Sequence, residues 1–200
     1  MTESTEYFDR VFADQRVMAI LRGYPPERTV ELCEIAWDSG IDVVEIPVQD
    51  PSAYPSLEAA IAAARARGRE VGAGTVISPQ QVRTVASLGA AFTVAPGTSM
   101  RVIEASKAAS LPHLPGVATA SDITAAIEGG LTWLKAFPAA QRGPAWIAAH
   151  LGGPFPQVSF VATGGIDARN ADEFLAAGAR VVAVGSALAD PAQLSLLGAL

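Results

Sequence analysis

The sequence predicts an α/β fold of the (β/α)8 TIM-barrel class, with an extra N-terminal helix and a short final helix. Three observations carry this. Eight short apolar runs occur at 17–21, 41–46, 70–74, 91–94, 111–114, 131–136, 157–162 and 180–184. Alanine-rich amphipathic stretches separate them, for instance 28–39, 52–67, 79–88, 119–129 and 168–177. Several of these stretches stop at glycine, as at Gly40, Gly89 and Gly178, where a helix end turns left-handed. Strands alternating with helices build βαβ units and a parallel sheet. A length of 200 residues is about the minimum for eight such units. The alternative is a doubly wound sheet of five or six strands. No linker or low-complexity tract interrupts the pattern, so residues 1–200 are read as one domain.

Taken in order, the chain opens on an amphipathic helix expected at about 4–14, with Tyr7, Phe8, Val11 and Phe12 along one side. The first apolar run ends Ile20-Leu21-Arg22-Gly23. In the second, period-two alternation puts Val43, Glu45 and Gln49 on one face. The third ends Gly72-Ala73-Gly74-Thr75, and the fourth leads to Pro96. In the sixth, Trp133, Lys135 and Phe137 share one face and Leu134 and Ala136 the other. The seventh ends Thr163-Gly164-Gly165 and the eighth Gly185-Ser186. Only Asp190 to Leu200 follow, which leaves room for a short last helix.

Composition narrows the function. With 20 acidic and 14 basic residues, a net charge of −6 and a pI near 4.9, neither nucleic acid nor an anionic membrane is an expected partner. Any anion site must be built locally. Cys33, the lone cysteine, sits in an apolar helix pattern and reads as a core residue. Met1 to Gln15 carry four acidic residues and no apolar stretch, unlike a secretory leader. No apolar run nears the ~18 residues of a membrane span, and a cytoplasmic protein is expected. His113 and His150 lack neighbours at ligand spacing; both read as structural, and no metal site is expected.

Lys135 stands out. The chain has twelve arginines but only two lysines, and the other, Lys107, lies near a helix end, where a cation suits the dipole. An ammonium inside an apolar strand is costly unless it is paired or gives up its proton. Facing an aromatic interior, such a side chain is a candidate amine nucleophile; a snorkelling or ion-paired lysine is the bland alternative. In a barrel, functional groups gather at the C-terminal ends of strands. The same alternation can turn Arg22, Glu45 and Thr75 inward beside Lys135. Glu45 taken alone also fits a buried ion-pair partner. The glycine pairs after the seventh and eighth strands, Gly164-Gly165 and Gly185-Ser186, stand where barrels bind phosphate through backbone N–H groups.

Seven segments in order resemble the class I 2-keto-3-deoxy-6-phosphogluconate and 2-keto-3-deoxy-6-phosphogalactonate (KDPG and KDPGal) aldolases. They are Ala19 to Gly23, Val44 to Pro47, Gly72 to Val76, Leu114 to Gly116, Leu134 to Pro138, Ala162 to Gly165 and Val184 to Ser186. The resemblance implies an imine between Lys135 and the C2 carbonyl, with Glu45 as general acid/base. It implies substrate contacts from Arg22, Thr75, Pro96, Phe137 and Thr163, and phosphate contacts from Gly164, Gly165, Gly185 and Ser186. It also implies a homotrimer with no metal or organic cofactor, cleaving a phosphorylated 2-keto-3-deoxy sugar acid to pyruvate and glyceraldehyde 3-phosphate. Some relatives carry a carboxylate-binding arginine where this chain has Gln49, others where it has Arg22. The competing functions are cleavage of 4-hydroxy-2-oxoglutarate to pyruvate and glyoxylate, a phosphate-binding isomerase or epimerase, and a barrel that only binds.

Overall fold

The computed structural model describes residues 2–185, 190–198 and 200; Ser186 lies outside them. Its parallel strands are β1 (Val17–Ile20), β2 (Val43–Pro47), β3 (Val71–Gly74), β4 (Thr93–Val94), β5 (His113–Leu114), β6 (Gly116–Val117), β7 (Trp133–Ala136), β8 (Ser159–Thr163) and β9 (Val181–Val184). β5 and β6 are two halves of one barrel strand, parted at Pro115, which has no N–H to give to a ladder. β5 pairs with β4 through Thr93 and His113, whereas β6 pairs with β7 through Gly116 and Lys135. β1 pairs with both β2 and β9, and the paired series runs from β5 through β1 to β6. Because β5 and β6 belong to one strand, its two ends meet as an eight-stranded barrel. An open doubly wound sheet, whose edge strands stay unpaired, is excluded.

Ten helices are described: α1 (Glu3–Val11), α2 (Pro26–Asp38), α3 (Tyr54–Ala66), α4 (Pro79–Leu88), α5 (Met100–Ala108), α6 (Ala120–Glu128), α7 (Ala139–Arg142), α8 (Pro144–Leu151), α9 (Ala171–Ala176) and α10 (Pro191–Leu197). The expected first helix stops early, at Val11. Helix α3 starts later than the amphipathic pattern, after a tight 3-10 turn at Pro51–Ala53. Between β7 and β8 the helix is broken in two, because Gly143 adopts a positive φ of 78° and Pro144 starts a new helix. No described helix is long and apolar enough to cross a membrane.

Two apolar layers hold the barrel. The outer one lies between strands and helices and includes Val44, Ile46, Leu134, Ala136, Phe160 and Val182. The inner one fills the barrel with Met18, Val43, Phe92, Leu114, Trp133, Val161 and Val181, and α1 closes its N-terminal end with Phe8 and Phe12. Phe8 meets Phe92 edge-on at 5.8 Å between centroids, and Phe12 packs against Trp133 at 5.1 Å. The Trp133 indole N–H donates to Asp9 Oδ1 at 2.8 Å, tying α1 to the sixth barrel strand. The periodicity that marked Trp133 as inward is therefore realised, with Lys135 one layer above it.

His113 is buried, and its Nδ1 shares a 2.8 Å hydrogen bond with the Thr93 hydroxyl. Burial pushes the imidazole down to about 4. An unfolded histidine takes its proton near 6.5, so below that pH the unfolded chain binds more protons than the folded one. Stability contributed by His113 is thus complete above about pH 6.5 and is lost as pH falls toward 4, by roughly 3 kcal/mol. Urea titrations at several pH values should show His113→Gln flattening this slope; an unchanged slope assigns it to other groups.

Candidate active site

The end of the barrel away from α1 opens into a cavity of about 910 Å3, walled by residues from the strand ends and the loops that follow them. Its lining includes Arg22, Thr75, Pro96, Lys135, Phe137, Thr163, Gly164, Gly165 and Gly185. Nine residues singled out in the sequence thus meet around one space. Ser186 lies outside the described residues. A smaller hollow of about 350 Å3 lies beside α1, lined by Tyr7, Arg10, Asp42, Arg69 and Glu70. Its charges already pair, Arg69 with Asp42 and Arg10 with Glu70.

Lys135 is held at its backbone by an N–H bond of 2.8 Å to the Pro115 carbonyl, across the break between β5 and β6. Its side chain is only 5% exposed, and Nζ stands 3.7 Å from Glu45 Oε1 and 5.3 Å from the centre of the Phe137 ring. Glu45 is fully buried behind it on β2. Neither of its carboxylate oxygens has a hydrogen-bond partner among the described residues. A buried carboxylate without hydrogen bonds is costly, and a lysine at this distance offsets part of the cost. The space for it comes from Gly74: a Cβ there would stand 2.6 Å from Glu45 Oε1. Both titratable groups are therefore buried and set against each other, Lys135 lining the cavity and Glu45 lacking a hydrogen-bond partner among the described residues.

Arg22 sits at the rim and is exposed. Its Nη1 donates to Gln49 Oε1 at 3.3 Å and its Nη2 to the Thr75 hydroxyl at 3.2 Å. Thr75 adopts a positive φ of 59°, an uncommon conformation for a β-branched residue, which presents its hydroxyl to the arginine. The two places where the sequence allowed a carboxylate anchor are thus adjacent. Arg22 bonds the Gln49 side chain directly.

The loop after β8 carries Gly164 and Gly165 at φ values of 97° and 75°. A Cβ on Gly164 would come within 3.1 Å of the Phe137 ring, the ring that covers Lys135. On the roles that the sequence implies, Gly164→Val should therefore lower pyruvate trapping as well as affinity for a phosphorylated substrate. A Cβ on Gly185 would find its nearest neighbour, the Ile20 carbonyl, at 3.7 Å. For the phosphate contact that the sequence implies, Gly185→Ala should raise KM for a phosphorylated substrate and spare pyruvate exchange; equal loss of both would argue against that contact.

Sequence reasoning missed the remaining polar wall. Asp167 and Arg169 line the cavity too, and Arg169 Nε donates to Asp167 Oδ2 at 3.0 Å. That bond holds the Asp167 carboxyl below the usual carboxylate range. Asp167 stands in a loop with no periodic signal, and Arg169, inside the amphipathic stretch expected from 168, falls in the turn before α9, which starts only at Ala171. No cluster of three or more metal-ligating side chains occurs among the described residues.

The family model for aldolases of the KDPG and KHG (4-hydroxy-2-oxoglutarate) type matches residues 8–196. The chain belongs to this family. It is an aldolase, a carbon–carbon lyase. It is 33% identical over 172 residues to the 2-dehydro-3-deoxy-6-phosphogalactonate aldolase of Escherichia coli, covering 86% of this chain and 83% of the relative. It is 34% identical over 180 residues to the 2-dehydro-3-deoxy-phosphogluconate aldolase of Treponema pallidum, covering 89% and 83%. Among solved structures, the KDPG aldolase of Legionella pneumophila, with pyruvate captured as a covalent carbinolamine, superposes with a TM-score of 0.82. That match is at 30% identity and covers 100% of this chain and 96% of that one. The aldolase expectation is thus met, and an isomerase or a non-catalytic barrel is set aside.

Proposed function

We propose that this aldolase cleaves a phosphorylated 2-keto-3-deoxy sugar acid to pyruvate and glyceraldehyde 3-phosphate, with Lys135 as the imine-forming amine. The observation that carries the reading is the buried Lys135–Glu45 pair at 3.7 Å, with Lys135 lining a cavity that the glycine loop after β8 also lines. Lys135 Nζ adds to the C2 carbonyl, and loss of water leaves a protonated imine. Glu45, directly or through one water, takes the C4 hydroxyl proton. The C3–C4 electron pair then moves into the imine, releasing the aldehyde and leaving an enamine. Protonation at C3 and hydrolysis free pyruvate and restore the amine. Phe137, packed against Nζ, and the closed apolar layer below keep bulk water from the reacting bond.

In this reading Arg22 clamps the substrate carboxylate while Thr75 gives a second hydrogen bond. A guanidinium matches a carboxylate with two parallel bonds, which a neutral amide cannot do. Pro96 and Thr163 shape the walls, and Gly164, Gly165, Gly185 and Ser186 take the phosphate. Arg22→Ala should weaken pyruvate binding by the ~1.5–3 kcal/mol of a charged hydrogen bond, with Arg22→Lys intermediate. Because Gln49 already touches Arg22, Gln49→Arg should restore part of the loss in Arg22→Ala. Unchanged pyruvate affinity in Arg22→Ala would place the anchor elsewhere. A homotrimer acting in the cytoplasm belongs to the same proposal. It is supported by exposed Ile77 and Met100 and by a similar fold at 30% identity in a cage designed by fusing symmetric oligomeric domains. Light scattering reads the trimer. The whole reading is tested by borohydride reduction with pyruvate and by cleavage assays of both phosphorylated C4 epimers and of 4-hydroxy-2-oxoglutarate. Faster turnover of the last would replace the proposed substrate.

A further inference from the structure

Four charged side chains line the cavity among the described residues: Arg22, Lys135, Asp167 and Arg169. The chemistry above uses the first two. Asp167 poses a problem for it, because an ionised carboxylate two residues beyond the glycine pair repels an incoming phosphate. Nor does the rest of the molecule help, since its net charge is −6. Arg169 resolves the conflict locally. It holds Asp167 Oδ2 through Nε and Nη2, while its Nη1 has no hydrogen-bond partner among the described residues. The backbone beneath it is fixed. Asp167 Oδ1 accepts the Arg169 N–H at 2.9 Å, Asn170 Oδ1 accepts the Asp167 N–H at 3.0 Å, and Asn170 Nδ2 donates to the Gly165 carbonyl at 2.9 Å. This stitched loop sets the root of Arg169 beside the glycines. Its head is 86% exposed at the mouth while it holds Asp167.

We propose that Arg169 is a specificity-determining residue, selecting substrates whose far end is a phosphate. It cancels the Asp167 charge and offers its remaining N–H fork to the phosphate oxygens, for which guanidinium geometry is suited. The inference rests on the Lys135 aldolase reading, and the experiment separates the two. Compare kcat/KM for 2-keto-3-deoxy-6-phosphogluconate and for unphosphorylated 2-keto-3-deoxygluconate in wild type, Arg169→Ala, Arg169→Lys and Arg169→Ala/Asp167→Asn. Arg169→Ala should lower the preference for the phosphorylated acid about tenfold, through KM, and by less at high salt because the mouth is solvated. Arg169→Lys should fall between. The double variant should lose less than Arg169→Ala, since the repelling carboxylate is gone. A preference unchanged in Arg169→Ala, or an equal fall for both substrates, overturns the assignment. Borohydride trapping of pyruvate on wild type reports the imine independently. If it succeeds while the preference stays put, only Arg169 is reassigned; if it fails, the lysine reading falls and this one with it.

Discussion

Lys135→Ala is expected to abolish aldol cleavage, by on the order of 10⁴–10⁶-fold, the scale seen when a covalent nucleophile is removed. No other described group can supply the electron sink: Lys107, the second lysine, is exposed near the end of α5. Incubation with pyruvate and borohydride should add one pyruvate-derived group to the wild-type chain, and peptide mapping should place it on Lys135. A label on Lys107, or none at all, ends the imine mechanism for this chain. The substitution also removes the charge 3.7 Å from a fully buried carboxylate. Breaking a buried pair from one side costs about 3–5 kcal/mol, so Lys135→Ala should melt lower than wild type. Adding Glu45→Gln in the same chain should recover much of that loss, since no uncompensated charge then remains. Recovery of stability without recovery of activity separates the chemical role of Lys135 from its electrostatic one.

Much of this was legible in the chain itself, and what was not has physical causes. Lys135 could be found because one cation in an apolar strand violates the rule that governs its neighbours. Barrel closure could be anticipated from the alternation of runs, but the continuation of the fifth strand beyond Pro115 as β6 could not, because the apolar run stops at Leu114. Glu45 and Lys135 lie far apart in sequence, and their spacing depends on the tilt and closure of the whole sheet. Gly74 shows this well. It reads as a strand glycine, and only the folded barrel reveals that a Cβ there would displace the Glu45 carboxylate. Asp167 and Arg169 escaped notice for the opposite reason. Asp167 has no periodic neighbours, Arg169 read as part of the amphipathic stretch from 168, and the roles of both follow from the hydrogen bonds that fix the turn before α9.

Glu45→Gln should slow cleavage by about 10²–10⁴-fold, the usual cost of losing general acid/base assistance, while pyruvate can still be trapped on Lys135. The substitution suits the site. Glutamine keeps the volume that Gly74 leaves open, and its amide can still face Nζ, yet it cannot take a proton from the C4 hydroxyl. Glu45 has no exposed surface, and its two oxygens lack hydrogen-bond partners among the described residues, so both can still accept a hydrogen bond from a substrate hydroxyl or a water. The loss should appear in kcat more than in KM, because the carboxylate meets the reacting proton in the transition state and contributes little to holding the carboxylate or phosphate ends. Exchange of the pyruvate methyl protons should slow as well, since that exchange passes through the same enamine. A Glu45→Gln enzyme with near wild-type kcat and normal proton exchange would show that a bound water or another group carries the proton, leaving Glu45 as the electrostatic partner of Lys135 alone.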